Sequence, residues 1–259
     1  MRTSLCLESV YRMGAHIFEY NQSFVVFGIQ HMWVLGLIAG LSWALPWLAQ
    51  KRLNANQRRG LARGMGLVLT SSVIAWTGLR LIEGAFDPTT DLPLDLCNLL
   101  AFLMPLLIWR PTQRIQEVLY FWVLAGTVQA VLTPHLVEGF PHYTFLKYWI
   151  VHGGLVVVTI YVTVAFRLYP TGRSLIRAFV GIQFYAVGIF VVNKLLGANY
   201  FYIMEKPPTA SLLDYFGPWP WYILVCEGIM LVLFLIAYAP IWLRARRLRL
   251  VPLASTRLE

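Results

Sequence analysis

Cys97 and His152 are the two side chains of this sequence best suited to covalent chemistry. In acyl transfer a thiolate attacks the acyl carbon, an imidazole takes the proton, and hydrogen-bond donors hold the oxyanion. Groups fit for the supporting roles lie in the same kind of surroundings. Asn98 and Asn193 are candidate oxyanion donors, Arg80 and Lys194 are candidate phosphate partners, and His31 and Glu227 complete the set. All eight sit inside or at the edge of long apolar stretches. Polar groups there are expensive, so each is a functional candidate by default.

The elements that must position them follow from composition. Of 259 residues, 58% are hydrophobic and only 13% charged. Soluble domains carry about 45–50% apolar and about 25% charged residues. Disorder, coiled coil and cytosolic enzyme are excluded, and an all-α polytopic membrane bundle remains. Apolar runs cover roughly Phe24–Leu48, Leu61–Ile82, Pro93–Trp109, Ile115–Thr133, Phe145–Leu168, Leu175–Ala198 and Trp219–Leu243. A spanning helix needs about 17–25 residues, so seven transmembrane helices are predicted, the third at the lower limit. The runs lack the alternation of barrel strands.

Charge sets the orientation. Lys51, Arg52, Arg58, Arg59, Arg63, Arg110, Arg114, Arg167, Arg173, Arg177, Arg244, Arg246, Arg247, Arg249 and Arg257 cluster at one set of run ends. The positive-inside rule makes that side cytoplasmic, with the N-terminus outside and the C-terminus inside. Glu83, Asp87, Asp91, Asp95, Glu138, Glu205 and Asp214 fall on the other side. The net charge of +9 therefore reports topology, and nucleic acid is not an expected partner. The organisation predicted is an interfacial segment over 1–23, a transmembrane domain over 24–243 and a basic cytoplasmic tail over 244–259. Within 1–23, Leu7, Val10, Tyr11, Ile17 and Phe18 follow helical spacing opposite Glu8, Arg12 and His16. No continuous apolar stretch there suggests a signal peptide.

Depth narrows the site. Counted at 1.5 Å per residue, the eight candidates and Gln129 fall within roughly 5–15 Å of the outer interface. The cytoplasmic half offers little beyond Glu117. One outward-facing polar pocket lined by several helices is the expected arrangement. Each residue also has a plainer reading. His31, Gln129 or Asn193 can simply bond a neighbouring helix, worth about 0.6–2 kcal/mol. Arg80 and Lys194 can snorkel to headgroups with Glu227 as counter-ion. Cys97 can serve as a small packing residue, or pair with Cys226 on the oxidising side. Two other activities stay open. His31, His135, His142 and His152 could furnish a metal-dependent lipid hydrolase, and intramembrane charges also mark transport pathways. The outer segments 199–208 and 214–222, dense in aromatics and proline, read as an aromatic belt or as a rigid cap over a lipid headgroup.

Particular segments carry a resemblance. LPLDLCNL (92–99), FWVLAGTVQAVLTP (121–134), GFPHY (139–143), His152, VNKLLGANYFYI (192–203), KPP (206–208) and GPWPWY (217–222) resemble the YwaF-like bacterial integral membrane proteins. That family looks related to the animal transmembrane protein 164, a membrane acyltransferase that moves fatty acyl chains onto lysophospholipid. The resemblance covers residues 24–243. It implies Cys97 as acyl-accepting nucleophile and His152 as its base, with no cofactor and no metal. It implies phospholipid and lysophospholipid as partners and a bacterial plasma membrane as the location.

Overall fold

A computed structural model describes residues 23–207 and 212–250. The interfacial helix expected before Ser23 and the end of the basic tail lie outside the described residues. The described chain is all-helical. We label its principal helices α1 (Ile29–Arg52), α2 (Ala55–Ile82), α3 (Leu96–Ile108), α4 (Gln113–Leu132), α5 (Tyr143–Ala165), α6 (Gly172–Leu196) and α7 (Trp221–Leu250). All but α3 are long and apolar enough to cross a membrane.

The ends of these helices are written in the sequence. Asn54 and Gln57 form a reciprocal capping box before α2, as do Thr171 and Ser174 before α6. Thr112 accepts from the Ile115 N–H to start α4, and His142 from the Thr144 N–H to start α5. Gly197, at φ 66°, closes α6 in the left-handed conformation that glycine adopts without penalty. Arginines close the opposite ends. Arg58 donates to the carbonyls of Ala49 and Leu53, and Arg63 donates twice to that of Trp109.

α5 is the central post. It packs against α1, α2, α3 and α4 and is the most buried of the long helices. Its small residues permit the close approach. A Cβ on Gly153 would come within 2.7 Å of Ile38, and one on Gly154 within 2.6 Å of Leu69. Small residues at such contacts let membrane helices pack without a hydrophobic driving force. α4 in turn carries α6 and α7. The outer faces of α1, α2, α6 and α7 remain heavily apolar and exposed, as a lipid-facing surface requires. α1 and α2 both pack on α5, at Gly153 and Gly154 respectively. Between them runs an apolar groove of about 660 Å³, floored by Gly153, Gly154 and Val157.

Two features depart from the expected bundle. The third run, read as a span over Pro93–Trp109, is helical for only 13 residues, about 20 Å. That is short of a hydrocarbon core of about 30 Å. Helix begins only after Pro93, with Asp95 as its N-cap, and stops ahead of Pro111. α3 runs antiparallel beside the basic half of α2: Thr70 bonds the carbonyls of Ala101 and Phe102, and Arg63 that of Trp109. The remaining depth is filled by the connection 83–95, which turns inward. The Leu94 carbonyl accepts from the Tyr185 hydroxyl, midway along α6. A second connection dips to meet it. Asn193 clamps Tyr200 through both its N–H and its carbonyl, and the Tyr200 hydroxyl bonds Pro88 and Leu92.

The second departure lies in α4, where Trp122–Thr127 form a π-turn. Such a turn inserts one extra residue and shifts the register of everything beyond it.

Candidate functional site

Cys97 occupies the first turn of α3, and the recessed start of that helix sets its surroundings. The Asp95 side chain does not cap α3; its carboxylate accepts from the Phe201 N–H at 3.1 Å instead. The first bonded amide of the helix is that of Leu99, which donates to the Asp95 carbonyl. Among the described residues, the N–H groups of Leu96, Cys97 and Asn98 therefore have no acceptor. Such groups are the unsatisfied positive end of a helix, where an anion is favoured. Asn98 adds a half-buried amide in the same turn.

The sulfur itself meets α4. Cys97 Sγ lies 3.4 Å from the hydroxyl of Thr127, the last residue of the π-turn. His152 comes from α5. Its Nδ1 lies 2.9 Å from the Tyr148 carbonyl one turn earlier. A carbonyl only accepts, so Nδ1 carries the proton, and in the neutral ring Nε2 holds the lone pair. The Tyr148 ring stacks on the imidazole at 4.1 Å, and its hydroxyl donates to the Ala130 carbonyl. Tyr148 also lies within electrostatic reach of Cys97. Cys97 and His152 share no hydrogen bond.

A cation joins the cluster that sequence reading did not single out. Lys147, beside Tyr148, stands over the Trp76 ring at 5.1 Å and within electrostatic reach of Asp91, Asp95 and His152. Thr127 and Tyr148 had no distinguishing signal, whereas Lys147, a charge inside the apolar run 145–168, carried the same signal as His152. Thr127 meets Cys97 through the π-turn and the recessed start of α3.

The other candidates are placed elsewhere or already engaged. His31 is fully buried; its Nδ1 accepts from the Phe27 N–H and its Nε2 donates to the Val131 carbonyl, each at 2.9 Å. It is packed among Phe24, Phe27 and Trp149. Asn193 holds Tyr200 as described. Arg80 pairs with Asp91 at 3.1 Å, and the same carboxylate oxygen accepts from the Asp87 N–H, which shapes the inward connection. Thr89 holds the Asp87 carboxyl below its ordinary range by hydrogen bonds from its N–H and hydroxyl. Lys194 is exposed over the Phe190 ring. Glu227 is half-buried on α7, with no hydrogen bond or ion pair among the described residues. Cys97 and Cys226 are both free thiols, so the pairing considered from sequence is not formed. No group of three His, Cys, Asp or Glu side chains converges as a ligand set among the described residues.

The expectation that the basic half holds little beyond Glu117 is corrected. Glu117 is buried against Arg177 and accepts from Gln113. One residue away, Gln116 donates to the Thr159 carbonyl and the Thr163 hydroxyl. These contacts satisfy one another and fasten α4 to α5 and α6. The Thr159 hydroxyl beside them is buried without a partner among the described residues.

Comparison with known proteins places this architecture. No curated protein and no solved structure is matched. A family model described as the TMEM164 family matches residues 26–238, from just before α1 to near the end of the apolar part of α7. With six helices able to cross a membrane and most of its length covered by that match, the chain is an integral membrane protein that belongs to the TMEM164 family.

Proposed function

We propose that this protein is a membrane acyltransferase that moves a fatty acyl chain between phospholipid and lysophospholipid through a thioester on Cys97. The observation that carries the reading is Cys97 at the open start of α3, with three uncommitted backbone N–H groups in the same turn; Tyr148, stacked on the His152 imidazole, lies within electrostatic reach of the thiol. Family membership supports it. In the first half-reaction the Cys97 proton passes to Nε2 of His152, and the thiolate attacks the donor ester carbonyl. The oxyanion forms against the N–H groups of Leu96–Asn98 and the Asn98 amide. The ester C–O bond then breaks, and the leaving lysophospholipid oxygen takes the proton back from His152. In the second half, an acceptor hydroxyl gives its proton to Nε2 and attacks the thioester, and Cys97 leaves with the proton. At rest the thiol bonds Thr127, and catalytic contacts commonly tighten only when substrate arrives. Lys147 is well placed to hold a headgroup phosphate.

The same reading makes the acidic end the outer face and the Arg-rich end cytoplasmic, in a bacterial plasma membrane. α3 with its inward connection then counts as the seventh crossing.

The test is the intact mass of the purified protein after incubation with mixed phospholipid, acceptor excluded. An added fatty-acyl mass that hydroxylamine removes and Cys97→Ala lacks is expected. Normal lipid acyl transfer by a folded Cys97→Ala protein would sink the mechanism.

A further inference from the structure

The Arg-rich end of the bundle holds a second cavity, about 460 Å³, with Arg59, Arg63 and Arg110 around it and Pro111 and Phe166 as walls. It is independent of the Cys97 cluster. No carboxylate lines it, and the nearby Glu117 is already paired with Arg177. The arginines at this end divide into two kinds. Arg58 spends its guanidinium on helix-end carbonyls, and Arg63 is fixed by two bonds to Trp109 and by stacking over its ring at 4.4 Å. Arg59 and Arg110 have no acceptor among the described residues, yet both face the same walled space. Topology requires basic charge at this end, but it does not require three guanidiniums converging on one cavity.

The surroundings indicate the ligand. One helical turn from Arg63 on α2, Leu67 is 50% exposed, and Leu106, in the last turn of α3 ahead of Arg110, is 77% exposed. Both helices next to the cavity therefore carry exposed apolar side chains close to its arginines in sequence. We propose that this cavity is a binding site for a phosphate group without a compensating ammonium, held as the headgroup of an anionic phospholipid whose tails lie over Leu67 and Leu106. Guanidinium forks suit phosphate oxygens, and basic pockets between membrane helices take such headgroups.

Native mass spectrometry of the full chain in detergent, with phosphatidylglycerol or phosphatidylcholine added, tests this. The wild type is expected to retain phosphatidylglycerol in preference. Arg59→Ala with Arg110→Ala should weaken that binding roughly thirtyfold, from the loss of two cation–headgroup contacts. Both residues are exposed and bond no other described group, so the fold should persist, as a thermal melt checks. Lys51→Ala with Arg52→Ala removes equal charge from the same end and should leave the preference intact. If inorganic phosphate at millimolar concentration displaces the lipid from the wild type alone, the phosphate site stands with a free anion as its ligand. Equal retention of the two lipids, wild-type binding by Arg59→Ala/Arg110→Ala, or equal loss in the Lys51/Arg52 control would overturn the proposal.

Discussion

At the scale of single residues, the site depends on which atoms are already committed. His31 and His152 look alike in sequence, each a lone histidine about two turns into an apolar run. The structure separates them by bookkeeping of their nitrogens: both are engaged in His31, and only Nδ1 in His152. His152→Ala should therefore lower acyl transfer by about 10²–10⁴-fold, the usual worth of a general base, with little change in melting temperature. His31→Ala should do the reverse: it leaves the Val131 carbonyl and Phe27 N–H unpaired in the core, destabilising by about 1–3 kcal/mol. Thermal melts and initial rates of the two variants, compared side by side, check this exchange. Thr127→Val, which keeps shape and removes the hydroxyl beside Cys97, should cost threefold to tenfold in rate, about one net hydrogen bond. An unchanged rate would mean that the contact only parks the resting thiol. Cys97 and His152 were legible because a polar side chain in an apolar run stands out. Thr127 and Tyr148 were not, because their importance is a matter of neighbours and not of type; Lys147, a charge inside the fifth run, carried the same signal as His152.

At the scale of elements, two deviations from regular helix set the geometry. The π-turn of α4 brings Thr127 to Cys97, and no periodicity in a 20-residue run announces one inserted residue. Deletion of Gly126 should restore ordinary winding and turn the two halves of α4 by about 100° relative to each other. The expected protein still inserts, but acyl transfer falls to background, as measured on membranes with matched protein levels. The short α3 was half legible. Pro88, Pro93 and Asp95 mark a broken start, but an apolar count cannot distinguish a short helix plus an inward connection from a full span. The Gly153–Gly154 pair makes α5 central, and Gly154→Leu should cost about 1–3 kcal/mol through overpacking against Leu69, seen as a lower melting temperature in detergent.

At the scale of the whole molecule, the all-helical membrane class and the rough extent of the six long helices were readable from composition. What composition could not convey is that the surroundings of Cys97 are built partly from connections. The segments 83–95 and 197–207 reach inward, and Tyr185, Asn193 and Tyr200 tie them together. The charge distribution predicts that a reporter fused after Glu259 is cytoplasmic and one inserted between Pro208 and Ser211 is external, read by protease access in intact cells. A third reporter, at Leu53 in the turn between α1 and α2, should share the cytoplasmic side with the one after Glu259; finding those two on opposite sides would show that α3 does not count as a crossing.

The groove between α1 and α2 has a consequence for how this protein is solvated. Two long helices lean on a common post and leave hydrocarbon-lined space between them, so the bilayer supplies part of what would be core in a soluble fold. An alkyl tail lying there plays the role of a missing side chain, and its removal is equivalent to opening a cavity. The melting temperature should then depend on the chain length of the detergent, rising as longer tails fill the wedge. In that sense the lipid around this protein is also one of its building materials.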